Sequence, residues 1–264
     1  MAILEMDKLH IYGLSEQRKN VLEFLHKSES VEIADAHAED YGLGRKETAK
    51  SISGFNGYIA DASKALEILA EYVPEKKALF EKRIQSDESH YSMDSEEINR
   101  VNKHIYDILR AYKTIKTNED SISKISIKQM QITPYMKLDV PMNYHGTKTV
   151  KAKLGSVDGE LDGDSITSLA KEAGFDDIYF EILSSTKQQT CLWFLYPAEK
   201  ENEVNTFLRS IGFIEPSFSL SHRTTKKKYE KLQEDKEKIL RDNEKLKQEI
   251  LSFGEYRKEI ELFY

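Results

Sequence analysis

The chain reads as an α+β protein, an elongated dumbbell with a small N-terminal α/β lobe, an antiparallel coiled-coil rod and a distal ferredoxin-like βαββαβ lobe. Three observations predict this class. Two long stretches, Asp94–Gln131 and Ser221–Tyr264, keep a helical heptad period. Between them the period returns to two, and two helical runs each end in glycine. The composition, 32% charged and 39% hydrophobic with 12 Gly and 5 Pro in 264 residues, is too charged for one round core and suits long exposed helices. The expected boundaries are 1–57 for the N-terminal lobe, 58–132 for helical segments and the outbound rod helix, 133–220 for the distal lobe and 221–264 for the return helix.

At the N-terminus Lys8–Leu14 (KLHIYGL) has the alternation of a strand, and Ser15 is placed to cap a helix whose apolar face is Val21, Leu22, Phe24 and Leu25. Val31–Ile33 reads as a second short strand, followed by a loop at Gly42-Leu43-Gly44. From Tyr58 the spacing is helical: Ile59, Ala62, Leu66, Leu69 and Val73 recur at three and four, until Pro74 breaks the pattern. A second helical stretch is expected to about Ile84, then a turn over Ser86–Ser92. Asp94 and Glu97 have capping-box spacing at the start of the long helix. That helix carries Ile98, Val101, Ile105, Ile108, Tyr112, Ile115 and Ile122, and it must stop near Pro134.

The distal lobe is expected from strands at Lys148–Leu154, Ile178–Leu183 and Thr190–Tyr196, helices at Ser165–Ala173 and Glu199–Ile211, and a last strand at Phe213–Ile214 that Pro216 ends. Gly174 and Gly212 each follow a helix and each precede a Phe, so the two halves look alike. In the return helix, taking Tyr229 as position a, the d positions are Leu232, Ile239, Leu246, Phe253 and Ile260. The a positions are Tyr229, Lys236, Asn243, Ile250, Arg257 and Tyr264. The buried Asn243 expected from this seam would fix register at some cost in stability. The two long helices have similar lengths and pair naturally as one antiparallel hairpin.

Several function classes find no support. A net charge of -7 gives no field for nucleic acid, and the basic run Arg223–Lys228 reads as a solvated helix face. No G-x-x-x-x-G-K-[ST] occurs, which excludes a P-loop ATPase, including an SMC-like one. Gly42-x-Gly44 lacks a third glycine at dinucleotide spacing. Cys191, the single cysteine, lies in an apolar run and reads as a small core residue in a reducing compartment. The seven histidines lack ligand spacing. The nearest to a cation site is His37 beside Asp35, Glu39 and Asp40, read as an exposed acidic turn, and no metal or other cofactor is expected. Trp193 reads as packing. No stretch approaches the ~20 apolar residues of a membrane span, and no signal peptide opens the chain. Asp158, Glu160, Asp162 and Asp164 form an acidic loop that offers a basic partner an electrostatic target, with a plain surface loop the competing reading.

The opening MAILEMDKLHIYGLSEQRKNVLEFLHKSESVEIAD resembles the start of subunit I of bacterial and archaeal V-type ATPases. That family begins with a strand ending in Gly-Leu, a helix and a short V-x-I-x-D strand, here Ile11–Leu14, Ser15–His26 and Val31–Asp35. LEILAEYVPEKKALF (Leu66–Phe80) is similar to a second family segment. PYMKLDVPMNY (Pro134–Tyr144) is similar to its P-W-x-x-L-D-x-P connection into the distal lobe, with Tyr135 where Trp is usual. The resemblance implies a non-catalytic stator arm at the cytoplasmic face of a membrane. It would dock peripheral-stalk subunits of E and G type and link them to the membrane ring, within a complex that moves protons or sodium ions. The family's ion-handling arginine belongs to a membrane half that no position here matches. The resemblance also implies that the rod continues past Tyr264 and that later strands complete the N-terminal sheet, leaving the edges of Leu9–Leu14 and Val31–Ile33 open. Two alternatives of other classes are an ACT-like regulatory lobe that senses a small metabolite, and a freestanding coiled-coil adaptor.

Overall fold

The computed structural model describes residues 7–32, 49–74 and 95–263. The chain divides into two compact units, Met1–Ser53 and Gly54–Tyr264.

In the first unit, Lys8–Leu14 forms no strand. Leu9, Ile11, Tyr12 and Leu14 are all exposed, so side chains on both faces of the run meet solvent and neither face is buried. Without a ladder partner among the described residues the alternation has nothing to act on. Ser15 does not cap either: a 3-10 turn spans Ser15–Gln17 behind Leu14, with no side-chain hydrogen bond at its start. Helix α1 (Arg18–Lys27) follows and buries no residue. Val31 and Glu32 are also outside any strand. Ile33, the Gly42–Gly44 loop, the His37 turn, the helical stretch to Ile84, the Ser86–Ser92 turn, Asp94 and Tyr264 lie outside the described residues.

The second unit is built on a helical hairpin. Helix α2 (Ala49–Tyr72), which enters this unit at Gly54, begins well before Tyr58 and stops just ahead of Pro74. Pro74 has no amide hydrogen and disfavours a helical residue before it, which sets the end. Helix α3 (Ser95–Ile132) has 38 residues, about 57 Å at 1.5 Å per residue. Helix α6 (Thr225–Ser252) returns antiparallel to it, with Gln129 facing Gln233, Asn118 facing Asn243, and Arg110 facing Glu249. The return is not one continuous helix. A 3-10 turn at Phe253–Tyr256 separates α6 from α7 (Arg257–Phe263). Gly254 sits in this turn, where an added Cβ would lie 3.2–3.3 Å from the methyls of Val73. Just beyond it, buried Arg257 donates to the Val73 carbonyl at 2.6 Å, satisfying a backbone acceptor at the end of α2. The heptad apolar pattern survives the turn, which is why the sequence period alone conceals it.

One apolar cluster holds α2, α3 and the return together: Ala62, Ala65, Ile68 and Leu69 meet Val101, Ile105, Ile108, Ala111 and Ile115, with Ile250 and Ile260. Tyr72 and Tyr112 add an edge-to-face contact at 6.3 Å.

The hairpin's other end carries a small lobe. Strands β1 (Val150–Asp158), β2 (Tyr179–Ser185) and β3 (Gln189–Pro197) form an antiparallel sheet in the order β1-β3-β2. Helix α4 (Gly163–Glu172) joins β1 to β2, and α5 (Glu201–Ser210) follows β3 after a 3-10 turn. Both helices end alike. Gly174 and Gly212 take positive φ, and the Phe after each donates back to the helix: Phe175 to Ala170 and Phe213 to Leu208.

The sheet is covered on both faces. Val157, Leu192, Phe194 and Tyr196 pack on α4 and α5 through Ile166, Ala170, Val204, Phe207 and Leu208. Ala152, Leu154, Leu183, Cys191 and Trp193 pack instead on Ile132, Tyr135, Leu138, Met142 and Leu232 at the hairpin end. Central β3 therefore reads as an unbroken apolar run.

The fourth strand expected at Phe213–Ile214 is reduced to one antiparallel bridge, with Ile214 and Ser156 exchanging backbone hydrogen bonds at 2.8 and 2.9 Å. The next such pair outward would fall on Pro216, which has no N–H, and the next inward on Gly212, whose N–H is already given to Arg209. One bridge is all the flanking residues allow.

Candidate functional site

The acidic loop joins β1 to α4, and its four carboxylates come from three kinds of local structure. Asp158 ends β1 opposite Gln189. Glu160 stands on the turn after Gly159, a residue whose φ of 82° favours glycine. Asp162 is the N-cap of α4 and accepts from the Ser165 amide at 2.8 Å. Asp164 lies in the first turn of α4, where the helix dipole favours an anion. All four side chains are exposed. Hydrogen bonds from Ser165 hold the Asp162 carboxyl below its ordinary pKa.

The loop is pinned from beneath by Thr190, a fully buried residue that sequence reasoning missed. Its hydroxyl accepts from the Leu161 amide at 2.9 Å and donates to the Gly159 carbonyl at 2.9 Å. Ser185 Oγ lies 2.9 Å from the same hydroxyl and donates to the Leu161 carbonyl at 3.2 Å. The available signal was a hydroxyl opening an otherwise apolar run, since a buried hydroxyl needs partners. The arrangement holds a rigid, negatively charged turn at the lobe surface. What the turn can offer chemically is a fixed cluster of exposed carboxylates, a target for a cationic group.

The connection Pro134–Tyr144 is the second feature singled out by sequence. It begins as a 3-10 turn, Thr133–Tyr135, and buries Tyr135, Leu138 and Met142 between the hairpin end and the sheet. Burial first, then the neighbouring Cys191 thiol, raise the pKa of the Tyr135 hydroxyl above its ordinary value. The segment is stitched to the start of the return: Met142 N–H donates to Arg223, and Asn143 N–H to Ser221. Within the basic run, Thr224 caps α6 by accepting from the Lys227 amide at 3.4 Å, while Lys226 and Lys227 are exposed. Cys191 and Trp193 are both buried.

Elsewhere on the lobe a shallow groove runs along the C-terminal end of α4 and the face of α5, floored by Phe175 and Phe207 and edged by Glu203, Thr206 and Ser210. Among the described residues, no group of three or more His, Cys, Asp or Glu is placed to hold a metal ion. None of the described helices is long and apolar enough to cross a membrane.

No protein-family model matches the chain. No curated protein matches it either. Among solved structures, the chain is similar to the crystal structure of the cytoplasmic N-terminal domain of subunit I, homolog of subunit a, of V-ATPase. That similarity has a TM-score of 0.49 and 13% sequence identity, and it covers 95% of this chain and 81% of the other.

Proposed function

We propose that the chain is a non-catalytic stator arm, the cytosolic part of subunit I of a V-type rotary ATPase. In this reading it docks peripheral-stalk subunits of E and G type and works at the cytoplasmic face of a membrane. The lobe is then a split βαβ unit of ferredoxin-like kind with its last strand abbreviated, and residues 1–57 belong to a second, N-terminal lobe.

One observation carries the reading. The segment most similar to the family's connecting motif, Pro134–Tyr144, lies at the one place where a strut must not yield. Tyr135, Leu138 and Met142 share an apolar cluster with the end of α3, the start of α6 and the sheet. Load on the lobe therefore passes into both helices of the hairpin through a packed core rather than a flexible linker. The acidic turn at Asp158–Asp164 supplies the electrostatic part of docking, raising the association rate with a basic stalk surface.

Binding of the full chain to a purified E–G stalk heterodimer tests this. We expect a salt-sensitive complex. The combined change Asp158→Asn, Glu160→Gln, Asp162→Asn and Asp164→Asn should weaken it by about tenfold, chiefly through the on-rate. Asn at 162 preserves the helix cap, so the lobe stays folded. A folded chain that does not bind the heterodimer overturns the stator reading. Undiminished binding by the quadruple variant removes the acidic turn from the interface.

A further inference from the structure

The hairpin's two apolar clusters do not meet. On α3 the first ends at Ile115 and the second starts at Ile125; on α6 the corresponding limits are Leu246 and Leu232. Between these limits Ile122 and Ile239 are only half-buried and join neither cluster. The seam there, and just beyond it toward the lobe, is crossed by polar pairs. Asn118 Nδ2 donates to Asn243 Oδ1 at 2.6 Å, Lys236 Nζ to Ser126 Oγ at 3.0 Å, and Gln129 Nε2 to Gln233 Oε1 at 3.1 Å.

A second observation falls on the same stretch. Thr117, Ser121 and Ser123 each donate a hydroxyl to the carbonyl four residues earlier, at 3.0, 2.9 and 3.0 Å. Such back-bonding weakens a helix slightly and favours bending. Weak cross-helix packing and a softened helix thus coincide along about two and a half turns.

We propose that this segment, residues 116–124 of α3 against 236–245 of α6, is a polar joint at which the hairpin opens and bends while the apolar contacts on either side stay closed. Asn243 is only 5% exposed, and its side-chain oxygen accepts from Asn118. A slipped register would part the buried Asn243 from the half-buried Asn118, so this pair lets the joint flex without letting the helices slide. Polar contacts exchange readily with water, whereas opening the first apolar cluster exposes the fully buried Ile108, Ile115 and Ile250, and opening the second exposes the buried Ile132 and Leu232. Local opening therefore concentrates in the middle of the hairpin rather than at its ends.

Residue-resolved amide hydrogen exchange on the full chain tests the joint. Amides of 117–124 and 236–244 should exchange at least about tenfold faster than those of 105–112 in the same helix. The double change Asn118→Leu with Asn243→Leu should slow exchange in the joint toward that of its neighbours. The single change Asn243→Leu, which leaves the Asn118 amide unpaired, should speed it further. Equal protection along the whole hairpin of the unsubstituted chain overturns the proposal without any variant, and so does a double variant whose joint exchanges at an unchanged rate.

Discussion

Residues 7–32 and the sheet of β1, β2 and β3 both contain strand-like apolar runs, but only the second buries them. Phe24, on α1, is 73% exposed, whereas Phe194, on β3, is fully buried between Phe180 and Phe213. The difference lies in what surrounds each run. Alternation describes a strand that has two faces and two edges to fill. β3 has a strand on each edge, two helices on one face and the hairpin end on the other. The Lys8–Leu14 run has no such partners among the described residues, and it stays irregular.

The largest expected effect sharpens this contrast. Phe194→Ala should destabilise the lobe by about 3–5 kcal/mol, the usual cost of deleting a buried aromatic ring. Phe24→Ala should change the same transition by no more than about 0.5 kcal/mol. Trp193, the only tryptophan and a core residue of the lobe, reports both by fluorescence during urea unfolding. A comparable loss from Phe24→Ala would mean that residues 7–32 bury more than their exposure indicates, and the contrast would fail.

A smaller effect separates two glycines. Gly155, on β1, faces the returning chain, where an added Cβ would collide with the Phe213 ring and the Ile214 carbonyl oxygen. Gly13 has nothing within 4 Å of that position. Gly155→Ala should cost about 1–3 kcal/mol through overpacking against backbone that cannot shift freely. Gly13→Ala should stay within about 0.5 kcal/mol, because no contact changes. Equal shifts in the two urea midpoints would show that the crossing at Ile214 is loose, and the bridge to Ser156 would lose its standing as a remnant strand.

These contrasts also mark what sequence could show. The ends of α4 and α5 were legible because Gly174 and Gly212 act locally, through a backbone conformation that other residues resist. The strands of the lobe were legible because alternation and turn residues agree over several residues, but β1 runs past the expected end at Leu154 and takes in Asp158 from the acidic loop. Phe213–Ile214 looked like a strand from its own residues, but its length is set by Gly212 and Pro216 acting on a ladder with β1. The turn at Gly254 was hidden because the heptad pattern continues through it, and its cause, the close approach of Val73, lies far away in sequence. For the acidic loop, the residue types and their exposure were readable. The division of labour was not: Asp162 serves the helix, and Thr190 beneath holds the turn. Asn243 was readable as a seam polar residue, but its pairing with Asn118 depends on the antiparallel register.

The smallest effect compares the two helix starts. Asp162 caps α4, whereas Ser15 makes no capping hydrogen bond near α1. Hydrogen bonds from Ser165 hold the Asp162 carboxyl below its ordinary pKa in the folded lobe. A carboxyl depressed on folding contributes stability above its unfolded pKa of about 3.9, and loses that contribution as pH falls through the folded value. Asn at this position accepts the same kind of hydrogen bond but does not titrate. Asp162→Asn should therefore leave the lobe slightly less stable than the unsubstituted chain near neutral pH, and the gap should close as pH falls below about 4. Ser15→Ala should change neither the midpoint nor its pH dependence. Parallel pH profiles for Asp162→Asn and the unsubstituted chain would show that the cap carries no charge-dependent stability. In that case the exposed carboxylate of Asp162 would be as free to meet a basic partner as those of Asp158 and Glu160.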